Sequence, residues 1–562
     1  MTPLPSFGWF RPLKSGIFGL IASLTLALPS YAAEKISFVF DSLILSIPVS
    51  DLETYAKDGE LSQQLTRYFS LAGATEEDKA AFRQALLTPA PVKPLRFSRI
   101  LNTEEGERLL KYFGKVINVQ GGSNGKFLIR GALVEAALDK EGLTLINFLK
   151  KLSTNVQIDL KQALNLGQQV EIVVNATYLF TEEVDRLAQI EAEKTEKVNF
   201  SQLSDPRQPG PFEVKKQTWN LTDEKRNRQF YVDVYQPQIL QSEKVPVVVI
   251  SHGLSSRPED FSKWGQHLAS YGYVVALPQH PGSDIKQTED FLEGFSRQIF
   301  LRNEFIDRPL DLSYTIDELE RRNQSSFAGR LNLKEVGVLG HSFGGYTVLS
   351  VAGATIDFDR LEEVCNLEIG DLNTALLLQC RALKLERKDY NFKDPRVKAV
   401  FVVNPVNSGL FGSKSLRKID IPVFISAGSY DPATPFIFEQ VVSYPRLKVT
   451  DKYLQLQEGQ AHVDFSQLDA GLTDMLETTT DLTLPSPQLL DSYTNSMILS
   501  FFEVYINNNP EYTPYLSSAY ANYLSEGQEF KTYLITEKSS ESLTTSIEKF
   551  IRENSIKVPQ NR

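Results

Sequence analysis

Cysteine and histidine are nearly missing from this 562-residue chain, which holds two of the first (Cys365 and Cys380) and five of the second. So few thiols exclude a fold stapled throughout by disulfides. No Cys or His falls at the spacing of a zinc cluster, so no metal site is expected. An excess of basic residues is missing too. The net charge of −11 argues against nucleic acid as a partner and offers no attraction to an anionic membrane surface. There is no internal repeat, and beyond the N-terminus no apolar run long enough to span a bilayer.

What is present begins with an export signature. Arg11 and Lys14 precede an apolar run at 16–28, and Ser30 and Ala32 are the small residues that a signal-peptide cleavage site needs. A secretory signal over 1–32, removed after Ala32, is expected. The processed chain would then lack a transmembrane segment and reside in the periplasm or outside the cell. An uncleaved anchor is the alternative. In an exported chain an isolated cysteine pair often bonds, so Cys365 and Cys380 are a disulfide candidate, with two buried free thiols as the other reading.

The length exceeds what one core holds and implies more than one domain. Residues 34–200 open with alternating apolar residues at 36–49, readable as a short hairpin. Helical periodicity follows at 61–72, 76–87, 104–117, 131–138 and 143–152. Ser50 and Glu53 stand at capping-box spacing. This mainly helical region holds no histidine and shows no chemistry. A charged helix at 182–198 leads into a Pro/Gly-rich linker at 201–211.

From 212 the pattern changes. A strand pair at 212–221 and 228–235 is followed by continuous apolar strands at 245–250, 273–277, 335–339, 397–403, 421–427 and 452–456, separated by helices. Such a pattern predicts an α/β fold, a mostly parallel sheet covered by helices on both faces. In these sheets chemistry gathers at the carboxyl ends of the strands. This domain is expected to run over 212–535, with an insertion at 353–394 that holds both cysteines and could cap the site, and a tail or helix over 536–562.

The polar residues at those strand ends form a recognisable set. Gly340, Ser342 and Gly344 make G-x-S-x-G between a strand and a helix, the sharp turn that lifts a serine hydroxyl clear of the backbone. Asp431 follows the strand at 421–427 and His462 follows the strand at 452–456. Ser342 would be the nucleophile, His462 its base, and Asp431 the group that orients the imidazole. Asp464 and Glu439 compete with Asp431 for the last role. The backbone N–H groups of Phe343 and Leu254 would stabilise the oxyanion. His280, at the end of the strand at 273–277, could contact substrate. His252 would shape the oxyanion loop, His267 would pack on a helix, and His341 would point into the support of the elbow.

These blocks resemble the α/β-hydrolase superfamily. The likeness covers about 212–510, in 248–253, 268–275, 340–345, 428–431 and 459–462, and is nearest to the dienelactone-hydrolase-like and platelet-activating-factor-acetylhydrolase-like branch. The helical region resembles the N-terminal domain of unknown function attached to such hydrolases in cyanobacteria. The resemblance implies a carboxylic-ester hydrolase acting on lipid or short acyl esters, including short acyl chains on phospholipids. Ser342, Asp431 and His462 would be its triad, Leu254 and Phe343 its oxyanion donors. Dienelactone hydrolases carry a cysteine where this chain has Ser342. No cofactor is implied, since acyl transfer by serine needs none. The partner expected is a small-molecule or lipid ester, with the oligomeric state left open. A cutinase- or polyester-type hydrolase, a peptidase of the same fold, and a non-catalytic envelope-binding protein remain as alternatives. The aromatic segment at 493–523 is either a wall for an acyl chain or a helix packed on the core.

Overall fold

The computed structural model describes residues 33–240, 242–366, 373–462 and 484–554; the expected signal segment, Asp464 and the end of the C-terminal tail lie outside the described residues. Two compact units emerge, one ending at Glu171 and taking in Leu292–Phe295, the other formed by Ile172–Phe291 and the chain from Ser296 onward. The linker expectation was 201–211, yet packing changes hands earlier, inside the helix Leu160–Lys194. Ala176, Phe180, Val184, Leu187 and Ala188 line one helical face and are buried in the core of the second unit.

The first unit starts with the hairpin β1 (Lys35–Phe40) and β2 (Leu43–Pro48). Two strands too short to show a period, β3 (Ile117–Val119) and β4 (Val156–Asp159), complete a four-stranded sheet in the order β2-β1-β4-β3. Helices Gln63–Ala72, Glu76–Leu87, Glu104–Val116, Lys126–Leu138 and Leu145–Lys150 follow the periodic stretches of the sequence. The capping box at Ser50 does not form. That helix is Val49–Asp58, begins after Pro48 and has no side-chain cap, while Glu53 pairs with Lys57 and Lys150. A capping box does form at Thr75 and Asp78.

The second unit is an α/β-hydrolase fold. Its strands are β5 (Val214–Asp223), β6 (Arg228–Pro237), β7 (Val245–Ser251), β8 (Val274–Pro278), β9 (Leu331–His341), β10 (Val397–Val403), β11 (Val423–Gly428), β12 (Lys452–Gln457) and β13 (Thr532–Thr536). They form one sheet in the order β13-β12-β11-β10-β9-β7-β8-β6-β5. From β8 through β7, β9, β10 and β11 to β12 every pairing is parallel; β5, β6 and β13 are antiparallel additions at the edges. Alternate residues feed two cores. Val247, Val249, Val336, Val338, Val400 and Val402 face one, and Val248, Ile250, Leu339, Phe401 and Val403 face the other. Burial on both faces explains why these strands read as unbroken apolar runs.

The aromatic C-terminal segment belongs to the second of those cores. Helix Pro487–Tyr505 lays Met497, Phe501 and Phe502 on the sheet, where Phe501 meets the stacked pair Phe401 and Phe424 edge-on. Those rings are buried in the core and form no open wall. No helix among the described residues is long and apolar enough to cross a membrane.

Within the insertion, helix Phe358–Cys365 and the short helix Leu376–Gln379 are joined by a Cys365–Cys380 disulfide with Cα atoms 5.9 Å apart. Glu439 ties this insertion to the loop after β10. Its fully buried carboxylate accepts from Asn373 Nδ2 (2.7 Å), Gln379 Nε2 (2.9 Å), the N–H groups of Asn407 (2.7 Å) and Ser408 (2.9 Å), and Ser408 Oγ (2.6 Å). Thr374 Oγ1 donates to the carbonyls of Pro432 and Ala433, in the turn that carries Asp431. Glu439→Ala strands this set of donors in the interior and is expected to lower unfolding free energy by about 3 kcal/mol, measured by denaturant titration of the purified protein.

Candidate active site

The elbow between β9 and helix Phe343–Val351 places Ser342 at φ 56° and ψ −117°, a region where a side chain is strained. Backbone bonds on both sides hold it there. Ser342 N–H donates to the Val403 carbonyl at 3.0 Å, and Val406 N–H donates to the Ser342 carbonyl at 3.1 Å. The motif's glycines are steric necessities. A Cβ at Gly344 would lie 2.1 Å from the Ser251 carbonyl oxygen, and one at Gly340 would lie 2.3 Å from that of Gly344.

Asp431 sits in the turn after β11 and His462 in the turn after β12, so parallel neighbouring strands deliver both beside the elbow. His462 Nε2 lies 2.8 Å from Ser342 Oγ, and its Nδ1 lies 2.7 Å from Asp431 Oδ2. Asp431 is acceptor-only, so Nδ1 carries the proton and Nε2 is left free to take one from the serine. The carboxylate is buried, while 17% of the His462 side chain remains open to solvent. Burial pushes the Asp431 carboxyl upward, but the His462 ring and the N–H and hydroxyl of Thr434 outweigh it and hold the group below its ordinary value. Ala433 N–H and Thr434 N–H each donate to Oδ1 at 2.8 Å, and Thr434 Oγ1 donates to Oδ2 at 2.7 Å.

Three neighbours that sequence reasoning left out, or treated only as support, hold this line in place. Thr434 is one. Asn404 is the second: its Oδ1 accepts from Gly428 N–H at 2.9 Å and its Nδ2 donates to the Ala461 carbonyl at 3.4 Å, so one side chain at the end of β10 anchors both following loops. His341 is the third. Burial pushes its ring down to about 3, which keeps it neutral, and Nε2–H donates to the His462 carbonyl at 2.9 Å. His341 Nδ1 is buried without a hydrogen-bond partner.

The loop after β7 passes close to the elbow. A Cβ on Gly253 would lie 3.2 Å from Ser342 Cβ. The His252 ring is fully buried and kept neutral by burial and by the charge of nearby groups, His280 and Arg308 among them. Its Nδ1–H donates to the Gly253 carbonyl at 2.7 Å, and its Nε2 accepts from His280 N–H at 3.1 Å. The Gly253 carbonyl and the Leu254 N–H belong to one trans peptide and point in opposite directions. By holding that carbonyl, His252 sets the direction of the Leu254 N–H. The Phe343 N–H is the first of the helix that follows Ser342, among the groups that no helical carbonyl satisfies.

The structure takes His280 away from the substrate side. The residue is fully buried, with Nδ1–H donating to Asp311 Oδ2 at 2.9 Å and Nε2 bonded to Ser251 Oγ at 2.9 Å. Ser251, His280 and Asp311 repeat the connectivity of Ser342, His462 and Asp431, but all three are closed to solvent, and neither ring nitrogen of His280 is free for a ligand. Position at a strand end signalled nearness to the site; it did not signal which way the ring turns. Glu439, a candidate for the acid, is occupied by the insertion as described above. His267 is buried and donates through Nε2 to the Pro206 carbonyl at 3.1 Å, with burial pushing its ring down to about 4.

Comparison with known proteins supports the branch that the motifs resembled. Residues 32–159 match the family described as alpha/beta hydrolase of unknown function (DUF1400), and residues 213–293 match platelet-activating factor acetylhydrolase, isoform II. The chain is similar to the platelet-activating factor acetylhydrolase of Cavia porcellus, 28% identical over 137 residues, covering 19% of this chain and 31% of that protein. It is similar to the Canis lupus familiaris protein of the same name at 27% over 148 residues, covering 19% and 32%. The chain therefore spans about a third of the length of the curated relatives it matches.

Proposed function

We propose that the chain is an exported serine hydrolase that cleaves lipid or short acyl esters through an acyl-enzyme on Ser342. The observation that carries this reading is the unbroken hydrogen-bonded line from Ser342 Oγ through His462 to Asp431. The likeness to platelet-activating factor acetylhydrolases over 213–293, the stretch that holds the oxyanion loop, supports an ester of a lipid as substrate.

In this mechanism the ester carbonyl lies against Ser342 with its oxygen toward the N–H groups of Leu254 and Phe343. His462 Nε2 accepts the serine proton as Oγ bonds to the carbonyl carbon. Negative charge moves onto the carbonyl oxygen, where the two N–H donors stabilise it. Asp431 stabilises the imidazolium through Nδ1–H. His462 then protonates the departing alcohol as the ester C–O bond breaks, leaving the acyl group on Ser342. Water, deprotonated by the same ring, attacks that acyl group; the carboxylic acid leaves, and the proton returns to Ser342.

The disulfide supports export, because such bonds persist where thiols are not kept reduced. The positive and apolar segments of 1–32 support the same reading.

Two measurements test the proposal. Against p-nitrophenyl esters of increasing acyl length, the processed chain should turn over the shorter members. Ser342→Ala should reduce turnover by at least about 10⁴-fold with an unchanged circular dichroism spectrum. Absence of turnover at every length in folded wild-type protein would contradict the reading. Export should leave a mature N-terminus at Ala33, read by N-terminal sequencing of the secreted product, and an intact Met1 on that product would contradict cleavage.

A further inference from the structure

A buried guanidinium lies behind the oxyanion site. Arg308 stands in helix Glu304–Phe327, immediately before Pro309, and is fully buried. An unpaired cation in that setting would be very costly, so its placement calls for a physical account. Charge is balanced nearby. Glu304 and Asp311 favour the cation, although burial still pulls it down to about 10, which leaves it protonated in neutral water. Arg228 pairs with both of these carboxylates and Arg226 with Asp311.

The directions of its donors are informative. Nη2 donates to the backbone carbonyl of His252, and at 3.4 Å to Ser251 Oγ. Nη1 donates to Ser283 Oγ at 2.6 Å, and Ser283 Oγ in turn donates a hydrogen bond to Glu304 Oε2 at 2.7 Å. Nε donates to Thr347 Oγ1 at 3.1 Å, and Thr347 donates to the Phe343 carbonyl at 3.0 Å. The guanidinium plane lies over the Phe343 ring, 4.7 Å from its centroid. One side chain thus holds the loop that bears Leu254 and the helix that begins at Phe343.

We propose that Arg308 is a positioning residue for the oxyanion site, clamping the Leu254 loop to the Phe343 helix so that their two N–H groups stay at one separation and angle. The inference rests on the reading of Ser342 as nucleophile. Arg308 holds the His252 carbonyl and the His252 ring holds the Gly253 carbonyl, so two successive peptides are pinned from the buried side. The Leu254 N–H is thereby turned the other way. On the helix side, Thr347 and the Phe343 ring fix the first turn. A lysine could supply the charge, but as a compact point donor it lacks the planar fork that reaches both elements.

The test compares wild type, Arg308→Ala and Arg308→Lys on one short-chain p-nitrophenyl ester. Arg308→Ala should lose about a hundredfold in kcat, the size of a lost oxyanion donor, with KM within about threefold of wild type. Arg308→Lys should recover only a part. Millimolar guanidinium should raise turnover of Arg308→Ala in a saturable way, while sodium chloride at equal ionic strength should not. A folded Arg308→Ala enzyme with wild-type kcat, or one whose loss guanidinium leaves unchanged, would overturn the clamp. Should Arg308→Ala fail to fold, Thr347→Val removes the guanidinium's hydrogen bond to the helix and leaves its contact with the Phe343 ring and with the loop. It should lower kcat by about fivefold at constant KM, the order expected for one such hydrogen bond; unchanged kcat would overturn the proposal. A folded wild-type protein with no ester turnover would instead remove the nucleophile reading, and the clamp with it.

Discussion

Everything at the site depends on one backbone constraint, the left-handed turn at Ser342. A non-glycine residue at φ 56° costs on the order of 1–3 kcal/mol and persists only where its surroundings allow no other path. Here the surroundings are specific. β10 supplies the Val403 carbonyl and the following loop supplies Val406 N–H. Gly344 lets the helix approach the Ser251 carbonyl, and Gly345 lets Pro405 close in, where a Cβ would stand 2.5 Å from the proline ring. The turn presents the hydroxyl to His462 Nε2 at 2.8 Å, and the parallel order β9-β10-β11-β12 brings the Asp431 and His462 turns alongside it.

Behind that turn the second unit keeps a cluster of polar groups in its interior. His280, Asp311, Ser251, Arg308 and Glu304 are all closed to water. Each is satisfied by hydrogen bonds or paired charge, which lets a buried network rigidify its surroundings where a half-satisfied one would weaken them. The network lies under the loop after β7. On the other side, Asn404, Thr434 and His341 hold the turns of β11 and β12. The line from Ser342 through His462 to Asp431 is flanked by side chains that are themselves hydrogen-bonded, the condition that preorganised electrostatic stabilisation would need.

Much of this was legible in the sequence for identifiable reasons. The α/β fold could be read because strands buried on both faces become apolar runs, and the elbow because its glycines are sterically fixed. Ser342, Asp431 and His462 could be read as candidates because each lies at, or one short turn beyond, the carboxyl end of such a strand. What could not be read is direction and long-range pairing. Arg308 reaches Ser251 across 57 residues, and nothing local to either position records it. His280 stands at the right strand end but turns inward to Asp311. Ser50 and Glu53 had capping spacing, yet the helix begins at Val49 after a proline, so the box is displaced from the end it would cap. β3 and β4 are shorter than the window over which alternation can be counted, and the face of Leu160–Lys194 that joins the second core does not stand out because Val170, Val174, Tyr178 and Leu179 on the same helix are apolar yet exposed.

The central claim is that Ser342 is the nucleophile that His462 activates. Reaction of the processed protein with a fluorophosphonate, followed by mass spectrometry of its peptides, tests it most directly. The account predicts a single phosphonyl adduct on the peptide bearing Ser342 and its loss in His462→Ala. An adduct on a different serine, or undiminished labelling of Ser342 without His462, would contradict it.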